Sequence, residues 1–302
     1  MTPTGSSGDL SADRRYQWAL GALEGRDFEA ARDLFAQTLE LAPDWAPAWF
    51  GLGQAQEALG RLDDATAAYR AALEHDPADA SGASLRLARL AGAAPASAPR
   101  AYVKTLFDQY APKFDRHLVA ALSYRGPDIL RDVVARAAPG RTFEDMLDLG
   151  CGAGLAGEAF RDRAQRMTGI DLSPAMMEQA HAKGLYDRLI AADLLDFLRE
   201  EPEASADLAV AADVFVYIGD LGPVFSGVAR ALKPGGLFAF TTQSRPDGAY
   251  GVGEDMRFSH SQAYLRHVAA QAGFAVQELA RAVTRKDRGA DVPGWAALLL
   301  KV

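Results

Sequence analysis

Residues 146–154 read Met-Leu-Asp-Leu-Gly-Cys-Gly-Ala-Gly and connect an apolar run to the start of a helical pattern. Glycines suit such a connection, because the chain turns sharply there and its backbone comes close to a ligand. A glycine-rich turn after a strand is also typical of dinucleotide-binding sites. The glycines alone therefore leave two classes of cofactor open.

Three features of this turn separate the two classes. The spacing of Gly150, Gly152 and Gly154 is Gly-x-Gly-x-Gly rather than Gly-x-Gly-x-x-Gly. Asp148 stands two residues before the first glycine, where its carboxylate would repel a pyrophosphate but attract the ammonium and sulfonium groups of S-adenosylmethionine. Asp171 lies 21 residues after Gly150, at the end of the next apolar run, and can accept hydrogen bonds from both ribose hydroxyls, which also fits NAD. Together the features favour S-adenosylmethionine.

The surrounding pattern predicts an α/β fold, because short β-like runs alternate with helical stretches and such alternation is typical of a parallel sheet covered on both faces. The predicted strands are residues 144–149, 167–171, 188–191, 207–212 and 236–243. The predicted helices are residues 101–121, 127–137, 154–165, 174–184, 193–200, 222–233 and 260–272. Two final β-like runs, 274–284 and 295–302, predict a terminal antiparallel pair joined by a turn.

An internal repeat with a period of 34 residues precedes this region. Four pairs of positions show it: Ala31 and Ala65, Phe35 and Tyr69, Leu39 and Leu73, Pro43 and Pro77. The small residues and aromatics resemble the tetratricopeptide pattern, although an ordinary pair of helical hairpins is the alternative. Two copies are fewer than the three or so usually needed for stability, so we expect the repeats to pack against the rest of the chain or a second copy.

Several segments after residue 100 resemble class I S-adenosylmethionine-dependent methyltransferases, in particular those joined to tetratricopeptide repeats. They are residues 106–115, 147–154, 169–173, 192–193, 212–217 and 232–236. The resemblance implies a Rossmann-like domain with a seven-stranded sheet and an antiparallel C-terminal hairpin, preceded by the all-α repeats. The expected organisation is a disordered tail at 1–11, repeats with a capping helix at 12–92, a linker at 93–99, and a methyltransferase domain at 100–302 with a helical lid at 100–140.

The resemblance also assigns cofactor-binding roles to individual positions. It places Asp148, Gly150, Cys151 and Gly152 around the methionine part, Asp171 and Leu172 at the ribose and adenine, Asp193 and Leu194 at the adenine amino group, Ala211 and Asp213 near the sulfonium, and Tyr110 and Phe114 on the lid. Two alternatives stay open. Asp193 can cap the helix that follows it, with or without an adenine contact, and Asp213 can be a loop acid without a partner.

The acceptor side of the reaction is less defined by the sequence. Methyl transfer is an in-line displacement that mainly needs alignment of the reactants, so a general base is optional. His117 and His260 are candidates for a base or an orienting residue, with a hydrogen-bonded structural role as the alternative for each. Tyr124, Tyr217, Tyr250 and Tyr264 are candidates for the pocket wall. No Cys/His set indicates a metal site.

Composition and charge narrow the function classes. The net charge of −8 disfavours a nucleic-acid surface over the whole molecule. A single cysteine, no apolar run long enough for a membrane span and no signal-like N-terminus indicate a cytoplasmic protein. We therefore expect a methyltransferase acting on a small-molecule or carrier-bound acceptor. The alternatives are a scaffold whose repeats recruit a protein or form a homodimer, a protein methyltransferase whose repeats dock the substrate, and a nicotinamide oxidoreductase.

Overall fold

The structure of the protein is a computed structural model that describes residues 5–111, 124–287 and 289–302. The chain divides into two units, Met1–Thr105 and Leu106–Val302. Their boundary lies beyond the linker expected at residues 93–99. The N-terminal tail, expected to run to residue 11, ends earlier, because Asp9 caps a helix that begins at Leu10 and accepts hydrogen bonds from the two amides beyond it.

The first unit contains the repeat helices. Their bounds are α1 Leu10–Glu24, α2 Phe28–Leu41, α3 Ala46–Ala58, α4 Leu62–His75 and α5 Ala83–Leu90. Glycines on α3 allow the neighbouring helices to approach closely. A Cβ atom at Gly53 would lie 2.5 Å from the ring of Tyr69, and one at Gly51 would lie 2.4 Å from the ring of Phe35. Helix α3 thus contacts an aromatic ring of α2 through Gly51 and an aromatic ring of α4 through Gly53.

The second unit is built on one sheet, which holds nine strands in the described part of the chain. They are β1 Phe143–Leu149, β2 Ala164–Asp171, β3 Arg188–Ala191, β4 Ala206–Ala211, β5 Leu232–Arg245, β6 Tyr250–Val252, β7 Phe258–Ser261, β8 Phe274–Asp287 and β9 Ala290–Lys301. The spatial order is β3-β2-β1-β4-β5-β7-β6, and β9 lies between β5 and β8. The five neighbouring strands β3, β2, β1, β4 and β5 are parallel to one another, whereas β8 and β9 form the predicted antiparallel pair.

Helices cover both faces of this sheet. The helices of the second unit, together with the one that crosses the boundary, are α6 Arg100–Tyr110, α7 Gly126–Ala137, α8 Leu155–Phe160, α9 Pro174–Ala182, α10 Leu194–Glu200, α11 Gly222–Ala231 and α12 Gln262–Gln271. Alternate residues of the central strands are buried on opposite faces: Phe238 and Phe240 belong to one apolar cluster, whereas Leu237 and Ala239 belong to the other. None of the helices described has the length and apolar character needed to cross a bilayer.

The long strand β5 changes its partner along one edge. Leu237 to Gln243 pair with β9 on one side, while residues up to Phe240 pair with β4 on the other. Gln243 pairs with β9 and also with Ser259 of β7. Because a strand has only two edges, β7 must follow β4 along the same edge of β5. The β6–β7 hairpin therefore lies directly beyond the carboxyl end of β4.

Candidate functional site

Asp148 lies near the carboxyl end of β1, and its side chain is fully buried. The hydroxyl of Tyr186 donates a 2.5 Å hydrogen bond to Oδ2. Among the described residues, Oδ1 has no hydrogen-bond partner. Burial, to which the neighbouring charge of Asp171 adds, raises the pKa of Asp148 to about 7. A buried acceptor without a donor is costly in an isolated protein and indicates a place for a cationic or donor group.

The glycine turn presents its backbone beside this carboxylate. Gly150 has φ +71°, and a Cβ atom there would lie 2.5 Å from Cγ2 of Val214, so only glycine fits. Gly152 has φ +52° and donates its N–H to Oδ2 of Asp171 at 2.9 Å. The intervening Cys151 is buried, and burial raises the pKa of its thiol far above the usual range. Cys151 is therefore a loop residue rather than an activated nucleophile.

Asp171 ends β2 and faces the same turn. Its Oδ1 accepts a 2.8 Å hydrogen bond from the amide of Ser173, so both oxygens contact backbone N–H groups. Its side chain is half-buried, as is that of Leu172. Each carboxylate oxygen can accept a second hydrogen bond, which leaves capacity for hydroxyl groups on the open side. Asp148 and Asp171 thus lie side by side at the carboxyl ends of the neighbouring strands β1 and β2.

Asp193 caps the helix that follows the third strand. Its Oδ1 accepts hydrogen bonds from the amides of Leu195 at 3.0 Å and Asp196 at 3.3 Å. Of the alternatives left by the sequence, the capping role is thus present in the structure, and an adenine contact is compatible with it. Leu194 begins the same helix and packs against the apolar cluster below.

Helix α6 lies over the turn and over the neighbouring loops. The hydroxyl of Ser173 donates a 2.6 Å hydrogen bond to Asp108, and the rings of Phe107 and Tyr217 are in edge-to-face contact with centroids 5.4 Å apart. Tyr110 packs in a small cluster that also contains Ala153 of the glycine turn. Phe114, which was predicted on the lid, and His117, the other candidate for a base or orienting residue, lie outside the described residues. The described part of the lid thus connects the loops after β2 and β4.

Asp213 follows β4 and adopts φ +62°, a conformation that is rare for residues other than glycine. Its amide donates to the hydroxyl of Thr241 at 2.8 Å, and its Oδ2 accepts a 2.6 Å hydrogen bond from Nη1 of Arg285. Arg285 is only 4% exposed. Asp213 is therefore not the unpartnered loop acid that the sequence allowed. Ala211, two residues earlier, is fully buried at the end of its strand.

Tyr124 immediately precedes the second helix of the predicted lid. Its hydroxyl is surrounded by charge: burial raises its pKa well above the usual range, the carboxylate of Asp213 adds to this effect, and the guanidinium groups of Arg285 and Arg257 oppose it. The carboxylate of Asp148 also acts on it. These charges act on the hydroxyl of Tyr124, and its place in the pocket wall stays a prediction.

His260 is buried, and both of its ring nitrogens already have partners. Nδ1 lies 2.7 Å from the hydroxyl of Thr242, and Nε2 lies 3.0 Å from the carbonyl oxygen of Gly219. The carbonyl can only accept, so Nε2 carries the proton and Nδ1 accepts from Thr242. Burial lowers the pKa of His260 to about 4. Of the two roles left open by the sequence, this geometry favours the structural one.

The two remaining pocket candidates, Tyr250 and Tyr264, lie beside this histidine. The ring of Tyr264 stacks on that of His260, and its hydroxyl accepts from the amide of Leu221 at 2.7 Å and donates to Asp220 at 3.0 Å. Tyr250 is half-buried against Tyr264. Tyr264 therefore holds the loop after β4 through its hydroxyl, and both tyrosines stay candidates for the pocket wall.

Sequence reasoning did not single out two residues that hydrogen-bond to the predicted acids: Tyr186 contacts Asp148, and Arg285 contacts Asp213. Tyr186 precedes the third strand, where it reads as an ordinary core aromatic. Arg285 lies on a long antiparallel strand, where the alternating pattern predicts that its side chain is exposed. No local signal in the sequence connects either residue to the glycine turn, because each reaches the site only through the tertiary packing of distant segments.

Comparisons with known proteins agree with this geometry. A family model described as a methyltransferase domain matches residues 147–240, and a tetratricopeptide repeat model matches residues 16–83. Methyltransferase-like protein 27 of Homo sapiens is 36% identical over 143 residues, which cover 46% of this chain and 56% of the relative. The malonyl-[acyl-carrier protein] O-methyltransferase of Salmonella typhimurium is 31% identical over 140 residues, with coverages of 46% and 53%.

The alignments thus span about half the length of these curated relatives. Among solved structures, the 1,6-didemethyltoxoflavin-N1-methyltransferase of Burkholderia thailandensis superposes with a TM-score of 0.53 at 20% identity, covering 69% of this chain and 92% of that one. At this identity the likeness concerns the fold. The glycine turn and the paired acids lie within or beside the first match and the repeat helices within the second: the chain contains a methyltransferase domain preceded by tetratricopeptide repeats.

Proposed function

We propose that this protein transfers a methyl group from S-adenosylmethionine to a small-molecule or carrier-bound acceptor. The observation that carries the proposal is the buried Oδ1 of Asp148, which has no partner among the described residues. A carboxylate placed there suits the ammonium group of the methionine part and would oppose a pyrophosphate. The cofactor supplies a methyl group bound to a positively charged sulfur. After the transfer this sulfur is a neutral thioether.

The residues around the turn fit this cofactor. Gly150 leaves no room for a side chain beside Val214, and a bare backbone at this turn would let the cofactor approach closely. Asp171 is oriented by the amides of Gly152 and Ser173 and can accept the ribose hydroxyls. Helix α6 lies over Ala153 of the turn and would exclude water from the reactants. What the chain contributes is therefore binding, alignment and desolvation.

The printed names of the relatives support two acceptor classes to test. The Salmonella relative is named for a malonyl group on an acyl carrier protein, and the Burkholderia structure contains a bound small molecule. A malonyl thioester and a small heterocycle are therefore both reasonable first acceptors to test here. With both nitrogens of His260 engaged, acceptors that need no deprotonation by this histidine are favoured.

A labelling experiment tests the proposal. The purified protein is incubated with a cell extract and with S-adenosylmethionine carrying a deuterated methyl group, and products are sought by mass spectrometry. We expect one or more compounds to gain the labelled methyl group, and the yield to fall strongly with Asp171→Ala. If no compound gains the label although the protein binds the cofactor, the proposed transfer to small or carrier-bound acceptors would be contradicted.

A second candidate function is methylation of a protein that the repeats dock. Trp18 on α1 is 58% exposed and Leu62 at the start of α4 is 51% exposed, more than is usual for large apolar side chains. Trp18→Ser should leave transfer to small acceptors unchanged. If a protein acceptor is found in the labelled extract, the same substitution should reduce its methylation. Equal labelling of that protein by both forms would contradict a docking role for this surface.

A further inference from the structure

The backbone takes an unfavourable conformation just beyond the carboxyl end of β4. Asp213 has φ +62°, in the left-handed region that glycine enters freely, aspartate and asparagine occasionally and other residues rarely. Such a conformation persists only where neighbouring contacts enforce it, and positions of this kind cluster at binding and catalytic sites. The contacts of Asp213 therefore bear on the function of the loop that it begins.

Two contacts hold Asp213 in this conformation. Its amide donates a 2.8 Å hydrogen bond to the hydroxyl of Thr241 on the neighbouring strand β5. Its Oδ2 accepts a 2.6 Å hydrogen bond from Nη1 of Arg285, and the side chains of this ion pair are 15% and 4% exposed. A pair withdrawn from water is screened little by salt, and loss of one member leaves the other charge buried and alone. The pair thus ties the loop after β4 to strand β8.

A bulge in β8 directs Arg285 to this place. The register of the β8–β9 pair shifts between Val283 and Lys286, where two residues of β8, Thr284 and Arg285, lie opposite one residue of β9. Thr284 and Arg285 are both buried, although successive side chains of a regular strand point to opposite faces. An extra residue of this kind turns a side chain in a new direction, and bulges are frequent next to active sites. The bulge thus explains how an arginine of an outer strand reaches Asp213.

The loop that Asp213 begins lies against the glycine turn. A Cβ atom at Gly150 would be 2.5 Å from Cγ2 of Val214, so the side chain next to Asp213 occupies the space that the glycine leaves. The following residue, Phe215, is fully buried and contacts the ring of Phe240 with centroids 5.3 Å apart. The φ angle of Asp213 sets the direction in which both residues leave the strand. A change of this angle would move Val214 away from Gly150.

We propose that Arg285 is a positioning residue for the cofactor: through Asp213 it holds Val214 against the glycine turn and keeps the turn in the shape that binds S-adenosylmethionine. This inference rests on the proposed function and adds a residue that acts on the same site without touching the cofactor. A residue that only stabilises the fold would lower the melting temperature on removal but leave the affinity of the folded protein unchanged. Removal of Arg285 should change the affinity, by way of the backbone at Asp213.

Substitutions at Asp213 test this route by calorimetric titration of the full-length protein with S-adenosylhomocysteine. We expect Arg285→Gln to weaken binding about tenfold or more, because it leaves an unpaired carboxylate and an unfavourable φ angle. Adding Asp213→Gly removes both and should restore the affinity to within about threefold of the wild type. Adding Asp213→Ala instead removes the carboxylate but keeps a side chain that disfavours this angle. The alanine double variant should therefore bind about tenfold more weakly than the glycine one.

Arg136→Gln is the matched control, because Arg136 forms a 2.6 Å ion pair with Glu278, where β8 contacts α7 rather than the loop after β4. It should bind the ligand as the wild type does. Melting curves identify the variants that are folded, and if Arg285→Gln is not, the two double variants still decide, since neither contains the unpaired carboxylate. Failure of the wild type to bind S-adenosylhomocysteine would contradict the proposed function. Equal affinities of the wild type and folded Arg285→Gln, or of the two double variants, would overturn the positioning role alone.

A double-mutant cycle tests the last step, from Val214 to the glycine turn. Gly150→Ala places a methyl group against Cγ2 of Val214. If Arg285 holds Val214 there, this methyl group should cost less affinity once Arg285 is replaced, and the combined loss should be at least about threefold smaller than the product of the single losses. Gly140→Ala, whose Cβ atom would meet nothing within 4 Å, should combine with Arg285→Gln multiplicatively. A multiplicative loss for Gly150→Ala as well would contradict the proposed route.

Discussion

The hydroxyl of Tyr186 donates a 2.5 Å hydrogen bond to Oδ2 of Asp148, while Oδ1 of the same carboxylate is buried without a partner among the described residues. Tyr186 also accepts a 3.2 Å hydrogen bond from the amide of Gly157. One residue thus holds both Asp148 and the helix after the glycine turn, and its hydrogen bond fixes the orientation of the Asp148 carboxylate.

Replacing Tyr186 by phenylalanine should weaken cofactor binding. The ring can keep its packing, but one hydrogen bond to a charged group is lost, worth about 1–2 kcal/mol, or roughly a tenfold change in affinity. Calorimetric titration with S-adenosylhomocysteine measures this change. Tyr69→Phe is the control, since that hydroxyl donates to Glu57 in the other unit, and it should leave the affinity unchanged. Equal affinity of Tyr186→Phe and wild type would show that the hydrogen bond does not orient the acid.

Cofactor affinity should depend on pH because burial raises the pKa of Asp148 to about 7. Below this value the carboxyl group is neutral and attracts an ammonium group only weakly. The dissociation constant of S-adenosylhomocysteine should therefore fall as the pH rises from 6 to 8. The control ligand is 5′-methylthioadenosine, which lacks the amino-acid part and should show no such change. A flat profile for both ligands would contradict the role given to Asp148.

The same ionisation affects stability without ligand. The pKa of aspartate in an unfolded chain is about 3.9, so between that value and about 7 the folded state binds more protons than the unfolded state. The free energy of unfolding should then decrease as the pH rises through this window. Asp148→Asn should remove that decrease and raise the melting temperature at pH 8, while it weakens cofactor binding. Parallel melting curves of both proteins at pH 5 and pH 8 check this expectation.

Gly150 and Gly140 form a matched pair for testing the turn. Both have φ near +70°, but a Cβ atom at Gly150 would meet Val214 at 2.5 Å, whereas one at Gly140 would meet nothing within 4 Å. Each change to alanine costs about 1–2 kcal/mol for the left-handed conformation. Only Gly150→Ala should also displace the turn and reduce cofactor affinity, by about tenfold or more. Similar affinities of the two variants would argue against a close approach of backbone and ligand.

His260→Gln separates a structural histidine from a catalytic base. Glutamine can supply one donor and one acceptor to Gly219 and Thr242, so turnover should stay within a few-fold of wild type. Loss of a general base would lower it by about a hundredfold or more. The neutral, buried imidazole also makes stability fall as the pH drops from about 6.5 to about 4, since protons then bind the unfolded state preferentially. His260→Gln should lack this acid-dependent loss.

Substitutions in an ionic cluster of the repeat unit should change the stability of the protein rather than its activity. Glu57 accepts from the hydroxyl of Tyr69 at 2.7 Å and pairs with Arg86 and Arg89, which joins α3 to the capping helix α5. Glu57→Gln should cost about 1–3 kcal/mol, because two partly buried arginines lose their partner. Glu29→Gln, at a side chain that is 53% exposed and pairs with Arg32 and Arg61, should cost less than about 1 kcal/mol. Chemical denaturation of the two variants provides the comparison.

The sequence predicted the part of the fold and site that local patterns encode. Asp148 and Asp171 could be named because each ends an apolar strand next to glycines, and a parallel sheet brings such ends together. The short strands β6 and β7 were missed, because Gly248, Gly251 and Gly253 interrupt any alternation there. The helix predicted at 154–165 ends at Phe160, since Ala164 already pairs in the sheet.

The residues that the sequence did not reveal depend on distant contacts. Arg285 lies 72 positions from Asp213 in the chain and meets it only because β8 projects past the sheet edge. The structural role of His260 likewise became visible only when its partners on β5 and after β4 were known. Side-chain direction on these segments is set by packing, not by local propensity.

Direct titration of the wild-type protein with S-adenosylhomocysteine and with NADH tests the central claim most directly. The arrangement of Asp148, the glycine turn and Asp171 leads us to expect micromolar or tighter binding of S-adenosylhomocysteine, weakened in Asp171→Ala, with no measurable binding of NADH. Binding of NADH in the absence of binding of S-adenosylhomocysteine would contradict the account.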